Sequence, residues 1–327
     1  CDGSSCDIFL NPQDKDTYFE PNGKSTRDFN QIHINAMFSL LDKRFTDILV
    51  QPARKRNEYS AFCSMVDSAD IPEYSKIVFF GDRGYTSYNN FAHVIERGQF
   101  FLVRCNDKRA SGMMGHPVDT LPAFDEDISL ILTRSKAITK YSRPELFSSY
   151  RYVYQNAPMD YLNDLTTEYD LSLRLLRIQL KDGSYENIAT NLPGDEFKTE
   201  DFEMLYHLRC SEENSFRDLK YSLCLKAFHS KKYAYIVQEV WARVILYNFS
   251  SSIIINVTIK REDCAYEYQA NYSSALKTCR DFLRIHDGTT KINVESLIAQ
   301  NIEPIRPGRT FARQHRFKLP MSFCYRH

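Results

Sequence analysis

The stretch from Thr199 to about Leu225 constrains the fold most, because it starts with residues typical of a helix N-terminus and neither proline nor glycine interrupts it. Thr199 is a residue type that caps helix N-termini, and Glu200 and Asp201 place negative charge in the first turn, where the helix dipole favours it. We therefore predict one continuous helix over these residues.

Four polar side chains share one face of this predicted helix, namely Tyr206, Arg209, Glu213 and Lys220. At about 100° per residue they fall within a ~60° sector. A carboxylate, two cations and a phenol on one face are not typical of a hydrophobic core. They indicate a surface that binds a polyanion, with a metal ion between the carboxylate and the reacting phosphate. The alternative is a solvated helix with (i, i+4) charge pairs such as Arg209 with Glu213.

A second motif follows the short apolar run from Ile77 to Phe80, which predicts a strand buried on both faces. Residues 81–85 read Gly-Asp-Arg-Gly-Tyr, so Asp82 lies at the carboxyl end of this strand. Open α/β sheets bind ligands at that edge. A simple strand-ending turn is the alternative interpretation.

A third acidic residue, Asp2, lies near the start of the chain in the sequence Cys-Asp-Gly-Ser-Ser. Asp followed by Gly-Ser is typical of a turn. By itself this motif indicates nothing more.

Together the three motifs resemble those of DDE transposases of bacterial insertion sequences, in the large family numbered four. The helix matches the signature Tyr-x-x-Arg-x-x-x-Glu-x6-Lys, and Asp82 and Asp2 stand in contexts similar to those of the family's second and first catalytic Asp. The resemblance covers nearly the whole chain. It implies that Asp2, Asp82 and Glu213 are the catalytic carboxylates.

The chemistry that the resemblance implies is cleavage and joining of phosphodiesters with two bound Mg²⁺ ions, which Mn²⁺ can replace. Two such ions stabilise charge on the attacking and leaving oxygens, and carboxylates are their natural ligands. Asp82 would bridge the ions, while Asp2 and Glu213 would each hold one. Asp7 is the fallback for Asp2. Glu212 lies about 100° from the shared helix face, so Glu213 is the better candidate.

The resemblance also implies which side chains contact DNA. Arg209 and Lys220 would bind phosphates that flank the scissile bond, and Tyr206 would hydrogen-bond or stack beside them. Arg83, which follows Asp82, completes the predicted DNA-binding set.

The predicted fold class is α/β. Alternating apolar residues predict a hairpin from Ile32 to Val50, followed by a helix over 57–68, the strand before Asp82, a helix over 87–97 and a strand over 100–104. This order is similar to that of a ribonuclease-H-like mixed sheet with flanking helices. Further strands are predicted over 128–133, 169–180 and 185–192, with an Asp-Gly turn between the last two. The resemblance implies that they form a β-rich insertion that interrupts the core.

These predictions divide the chain into four segments. The first part of the core takes residues 1–107, the β-rich insertion 108–198, and the second part of the core, with the signature helix, 199–260. A C-terminal helix and a basic tail take 261–327. The chain begins with Cys rather than Met, and almost no strand precedes Asp2, so we expect the sequence to be a fragment.

Composition bounds the partners. The formal net charge is zero, which argues mildly against a nucleic-acid partner. After Glu303, however, there is no acidic residue, and the tail carries six cations: Arg306, Arg309, Arg313, Arg316, Lys318 and Arg326. With its interleaved aromatic residues, this tail is predicted to lie along a phosphate backbone, or else to be a solvated end.

The nine cysteines form no Cys-x-x-Cys pair, so we expect reduced thiols in a cytoplasmic, nucleoid-associated protein. No apolar run approaches the ~18 residues of a membrane span. The expected partners are double-stranded DNA, as transposon ends and target, and a second copy of the chain in a homodimer on DNA.

The expected function is therefore DNA strand cleavage and strand transfer during transposition of an insertion sequence. Two alternatives stay open. One is a catalytically inactive remnant that only binds DNA, and the other is a nuclease on the same core that hydrolyses without joining.

Overall fold

A computed structural model of the chain describes residues 1–21, 25–136, 148–180, 182–208, 210–259, 266–285 and 292–305, without the side chains of residues 206, 207, 210–213 and 285. In these ranges the chain is mixed α/β. The strands are β1 (Asp2–Ile8), β2 (Tyr18–Phe19), β3 (Phe29–Ser39), β4 (Arg44–Pro52), β5 (Val78–Gly81), β6 (Phe100–Cys105), β7 (Phe124–Thr133), β8 (Tyr150–Tyr152), β9 (Glu168–Gln179), β10 (Tyr185–Thr190), β11 (Tyr268–Ala270) and β12 (Ile302–Pro304). The α-helices are α1 (Glu58–Ser68), α2 (Tyr88–Glu96), α3 (Asp107–Met114), α4 (Asp201–Leu208), α5 (Cys210–Tyr221), α6 (Tyr233–Ile254), α7 (Tyr272–Ile285) and α8 (Val294–Gln300).

The chain divides into two compact units. The first unit comprises Cys1–Asp2 and Asn57–Cys210, and the second comprises Gly3–Arg56 and Ser211–His327.

A six-stranded sheet organises the first unit, in the order β5-β6-β10-β9-β7-β8. β5 and β6 are parallel, whereas β10 pairs antiparallel with both β6 and β9. Leu171, Leu173 and Leu175 of β9 are buried on one face and Leu176 on the other, so both faces of the strand are covered at its centre. Phe202 of α4 packs against Leu102, Leu176 and Ile188 of this sheet, so the sheet and α4 share one core.

A four-stranded sheet organises the second unit, with β3 at its centre. β3 pairs with β1, β2 and β4, and the β3–β4 pair is an antiparallel hairpin with an irregularity between Met37 and Phe38. Its core joins Ile32 and Ile34 of β3 to Leu219 of α5 and Val240 of α6. β11 and β12 form a separate antiparallel pair.

The element order predicted between residues 32 and 105 is confirmed. The hairpin, α1, β5, α2 and β6 appear in that order, with bounds within two or three residues of those predicted. The strands predicted at 128–133, 169–180 and 185–192 are also present as β7, β9 and β10. The short elements β2, β8, α3, α8, β11 and β12 were not predicted.

The start of the chain differs from the prediction. Asp2 was expected at the end of a largely missing strand, but β1 begins at Asp2 and continues to Ile8. The Gly3-Ser4 turn is therefore absent, because these residues pair with β3 instead.

The predicted signature helix is described in two pieces, α4 and α5, and Arg209 between them lies outside the described residues. The predicted end at about Leu225 is wrong, because α5 ends at Tyr221 and the chain then turns, with Cys224 at a positive φ of 56°. The predicted cap Thr199 lies two residues before α4, and its hydroxyl donates to Asp125.

The predicted insertion extends a sheet that starts in the predicted core. β10, from the insertion, pairs with β6, which precedes the predicted boundary at 107–108. The division into these four segments stays a prediction. They do not coincide with the two compact units.

In the described ranges no helix is long and apolar enough to cross a bilayer. Six cysteines are described as free thiols: Cys1, Cys6, Cys63, Cys105, Cys224 and Cys279.

Candidate active site

Asp82 lies where the sequence predicted it, at the carboxyl end of β5. The strand ends at Gly81, which is level with Val103 of the parallel neighbour β6. Asp82 then caps a single 3₁₀ turn, Arg83–Tyr85, and its Oδ1 accepts a hydrogen bond of 2.7 Å from the Gly84 amide. We call residues 82–85 the Asp82 turn. The cap satisfies an amide that the short helix leaves without a partner, and it fixes the carboxylate at the sheet edge.

Glycine at position 84 lets the Asp82 carboxylate approach the backbone closely. A Cβ there would lie 2.9 Å from Asp82 Oδ1 and 3.5 Å from Glu58 Oε2. Glu58 is the first residue of α1, after the cap Asn57. Its carboxylate therefore lies near the Asp82 turn, which the sequence analysis missed. The only signal was its place at a predicted helix start, a common position for acids.

Tyr85 anchors the Asp82 turn through its buried ring. Its ring is buried and lies 5.6 Å from the ring of Phe62 in α1, and its carbonyl accepts from the Asn90 side chain at 2.9 Å. Gly81 allows the close approach, since a Cβ on Gly81 would be 3.0 Å from Tyr85 Cβ. The motif Gly-Asp-Arg-Gly-Tyr thus encodes a rigid turn that presents Asp82.

Asp2 belongs to the same compact unit as Asp82. The nitrogen of Cys1 donates to the carbonyl of Phe80, in β5, at 2.6 Å. Asp2 directly follows Cys1, and Asp82 comes two residues after Phe80. This hydrogen bond therefore joins the two backbone segments that carry these carboxylates. Asp7, the fallback, lies further along β1 and accepts from Gln31 at 2.8 Å.

Lys220 is held within the second unit. Its Nζ donates to the hydroxyl of Ser4, in β1, at 2.5 Å, and Phe216 and Leu219 beside it in α5 are buried in that unit's core. The structure describes less of the other three signature residues. The backbones of Glu213 and Tyr206 are helical in α5 and α4, but their side chains, like all of Arg209, lie outside the described residues.

Arg83 is exposed on the Asp82 turn. Hydrogen bonds from Asn187 and Arg177, with a smaller contribution from the charge of Arg83, hold the pKa of Asp107 below its usual value. Among the residues with described side chains, which do not include Glu213, no group of three or more His, Cys, Asp or Glu forms a metal-binding cluster. Asp82, Asp2 and Glu58 each carry the oxygen donors that Mg²⁺ prefers, but these three described side chains do not form such a cluster.

A second polar constellation, the His93 cluster, was not predicted. His93 of α2 is bound on both ring nitrogens, by Asp67 at 2.8 Å and by Asp160 at 2.9 Å. Asn89 adds a hydrogen bond of 2.9 Å to Asp160, and the ring of Tyr161 lies edge-on to the imidazole at 5.1 Å. Both ring nitrogens bind a carboxylate, so we interpret the cluster as a structural clamp between α1, α2 and the loop at Asp160.

Residues 6–249 match the model of the family described as "Transposase DDE domain". That range includes Asp82 and Glu213 but begins after Asp2. No curated protein matches the chain. Among solved structures the chain is similar to a piggyBac transposase in a synaptic complex with hairpin DNA, with 11% identity and a TM-score of 0.41. The similarity covers 94% of this chain and 58% of that one.

Proposed function

This chain belongs to the transposase DDE domain family, and from that premise we propose that it catalyses metal-dependent DNA cleavage and strand transfer in transposition of an insertion sequence. The observation that carries the proposal is the family match over residues that contain both Asp82 and Glu213. The fixed carboxylate of Asp82 at the edge of a sheet supports it, since this is where such sheets place ligands.

Asp2, Asp82 and Glu213 are the proposed metal ligands, with two Mg²⁺ ions as the expected set and Mn²⁺ as a substitute. When bound, the metal would supply charge stabilisation at the reacting phosphate. The chain's own contribution is to hold the ligands. The Gly84 amide orients the Asp82 carboxylate, and the Cys1–Phe80 hydrogen bond keeps Asp2 beside β5.

Contacts to the DNA backbone are proposed for Arg83, Tyr206, Arg209 and Lys220. Arg83 is exposed next to Asp82, which supports its role. The hydroxyl of Ser4 holds the ammonium of Lys220 in one position, so this cation is already ordered before it meets a phosphate.

A ribonuclease-H-like core is proposed for the fold. The order of β1, the β3–β4 hairpin, α1, β5, α2 and β6 supports it, since the resemblance implies this order. The described strands fall into separate hydrogen-bonded sheets, with β1, β3 and β4 in one and β5 and β6 in another. A homodimer on DNA, as well as the division into core, insertion and tail, also stays a proposal. The basic tail after residue 305 lies outside the described residues.

The test is a nicking and strand-transfer assay of the chain with Mg²⁺ and supercoiled DNA. Wild type should nick and join, whereas Glu213→Gln should bind DNA without nicking because a neutral amide is a poor Mg²⁺ ligand. Cleavage that survives in Glu213→Gln would contradict the proposal. Nicking without joining would favour the nuclease, and binding without nicking in wild type would favour the inactive remnant.

A further inference from the structure

We propose that Lys108 and Arg109, in the first turn of α3, bind the DNA backbone next to the phosphate that reacts at Asp82. The inference rests on the proposed function and adds to it a phosphate-contact surface from a helix that the sequence motifs do not mark. We call these two residues the α3 cations.

Two parallel strands bring α3 to the same sheet edge as Asp82. β5 and β6 run in parallel, and α3 begins two residues after β6 ends. Neighbouring strands lie about 4.8 Å apart, so the segments that leave their carboxyl ends are neighbours. The hydroxyl of Thr86, just after the Asp82 turn, donates to the carbonyl of Arg104 at 3.0 Å and ties that turn to the end of β6.

The acid at the start of α3 is balanced by an internal partner. Asp107 accepts from Arg177 at 2.7 Å and from Asn187 at 2.8 Å. The Arg177 side chain is only 5% exposed and is thus committed to this pair. Because Arg177 already neutralises Asp107, the α3 cations keep their positive charge available for another anion.

Three cations therefore lie in the segments that follow the carboxyl ends of β5 and β6. Lys108, Arg109 and Arg83 are all exposed, and in the described part of the chain none of them forms an ion pair. After the hydrogen bonds from Asn187 and Arg177, the charge of Arg83 makes a smaller contribution to the lowered pKa of Asp107, at the start of α3. A negatively charged DNA strand that reaches Asp82 would pass this group, and Lys and Arg are the side chains that neutralise phosphates.

The sheet itself offers a matched control. Lys76 precedes β5 and Arg97 precedes β6, so both lie at the opposite edge. They too are exposed, and each donates to a backbone carbonyl, of Gly98 and Ala69 respectively. Lys76→Ala with Arg97→Ala removes the same charge as Lys108→Ala with Arg109→Ala.

The experiment measures the affinity of the full chain for a random-sequence DNA duplex by fluorescence anisotropy over a range of salt. At about 0.9 per contact, loss of the α3 cations should lower the salt slope by ~1.8. The same relation gives an affinity at 0.15 M salt weaker by on the order of 30-fold. The control pair should stay within about twofold of wild type, and thermal unfolding should show that both variants fold. If the alanine pair does not fold, the glutamine pair at the same positions replaces it.

The position of the contact is read with single neutral methylphosphonates in a duplex that wild type nicks. Some phosphate replacements should weaken DNA binding by wild type but not by Lys108→Ala with Arg109→Ala. These phosphates should lie beside the nick. Equal losses in the two double variants, or sensitive phosphates far from the nick, would overturn this inference alone. A wild-type chain without salt-dependent DNA binding would overturn the proposed function and this surface with it.

Discussion

The Asp82 turn and the His93 cluster treat their carboxylates in opposite ways, although both belong to the first unit. Asp67 and Asp160 are each paired with a nitrogen of His93. Asp82 instead accepts from a backbone amide, and among the described residues no cationic side chain lies within salt-bridge distance of it. In the His93 cluster the carboxylates bind an imidazole and so link helices. In the Asp82 turn a backbone amide orients the carboxylate, and its negative charge stays available for a ligand.

Two further acids of the first unit are paired with buried arginine side chains. Arg174 binds Asp125 through two nitrogens, at 2.5 and 2.6 Å, and Arg177 binds Asp107. These acids have internal cations, as structural acids usually do. The comparison thus separates Asp82 from the structural acids on charge balance alone, and each prediction below tests that separation.

The largest expected effect is that of Asp82→Asn on cleavage. The amide oxygen still accepts from Gly84, so folding should be nearly unchanged, but the charge that holds a metal is gone. Metal-dependent nicking should fall by on the order of 10³-fold, with thermal unfolding as the control. A variant that nicks at the wild-type rate would place Asp82 among the structural acids.

His93→Ala should do the reverse. It leaves two carboxylates without their shared partner, but both are about half exposed to water, so loss of these hydrogen bonds should cost about 0.5–1.5 kcal/mol. Urea unfolding should show this loss, while the folded variant keeps its metal dependence of nicking. Unchanged stability with lost nicking would erase the distinction between the two regions.

Gly84→Ala should have a smaller and local effect. The added Cβ would lie 2.9 Å from Asp82 Oδ1 and would displace the carboxylate. Because small misplacement of a reacting group lowers rates, nicking should fall about 10-fold. Gly112→Ala is the matched control, since Gly112 has nothing within 4 Å of its Cβ position. Equal activities of the two variants would show that the turn does not orient Asp82.

The smallest effect concerns pH. Burial lowers the pKa of His93, but hydrogen bonds to Asp67 and Asp160 and their charges outweigh it, so the pKa is raised above 6.5. A group whose pKa is raised on folding contributes stability below its unfolded value. That contribution is lost as the pH rises through the folded value. The difference in the free energy of unfolding between wild type and His93→Gln should therefore decrease as the pH rises above about 6.5. A pH-independent difference would mean that the clamp does not depend on the imidazolium.

The sequence predicted the Asp82 turn well because its signals are local. An apolar run followed by two glycines indicates a strand that ends in a turn. The His93 cluster could not be predicted, because its acids are 26 and 67 residues from His93 and meet it only through tertiary packing. Glu58 was missed for the same reason. α3 was missed because Gly112 and three charged residues in its first turn weaken its helical pattern.

The central claim is that Asp82, with Asp2 and Glu213, holds a divalent metal ion. Anomalous scattering from crystals of the chain soaked in Mn²⁺ tests it most directly. The account predicts Mn²⁺ bound to an oxygen of Asp82 at about 2.1 Å, with Glu213 and Asp2 also in contact with the metal site. Mn²⁺ bound elsewhere, with Asp82 in contact only with its own turn, would contradict it.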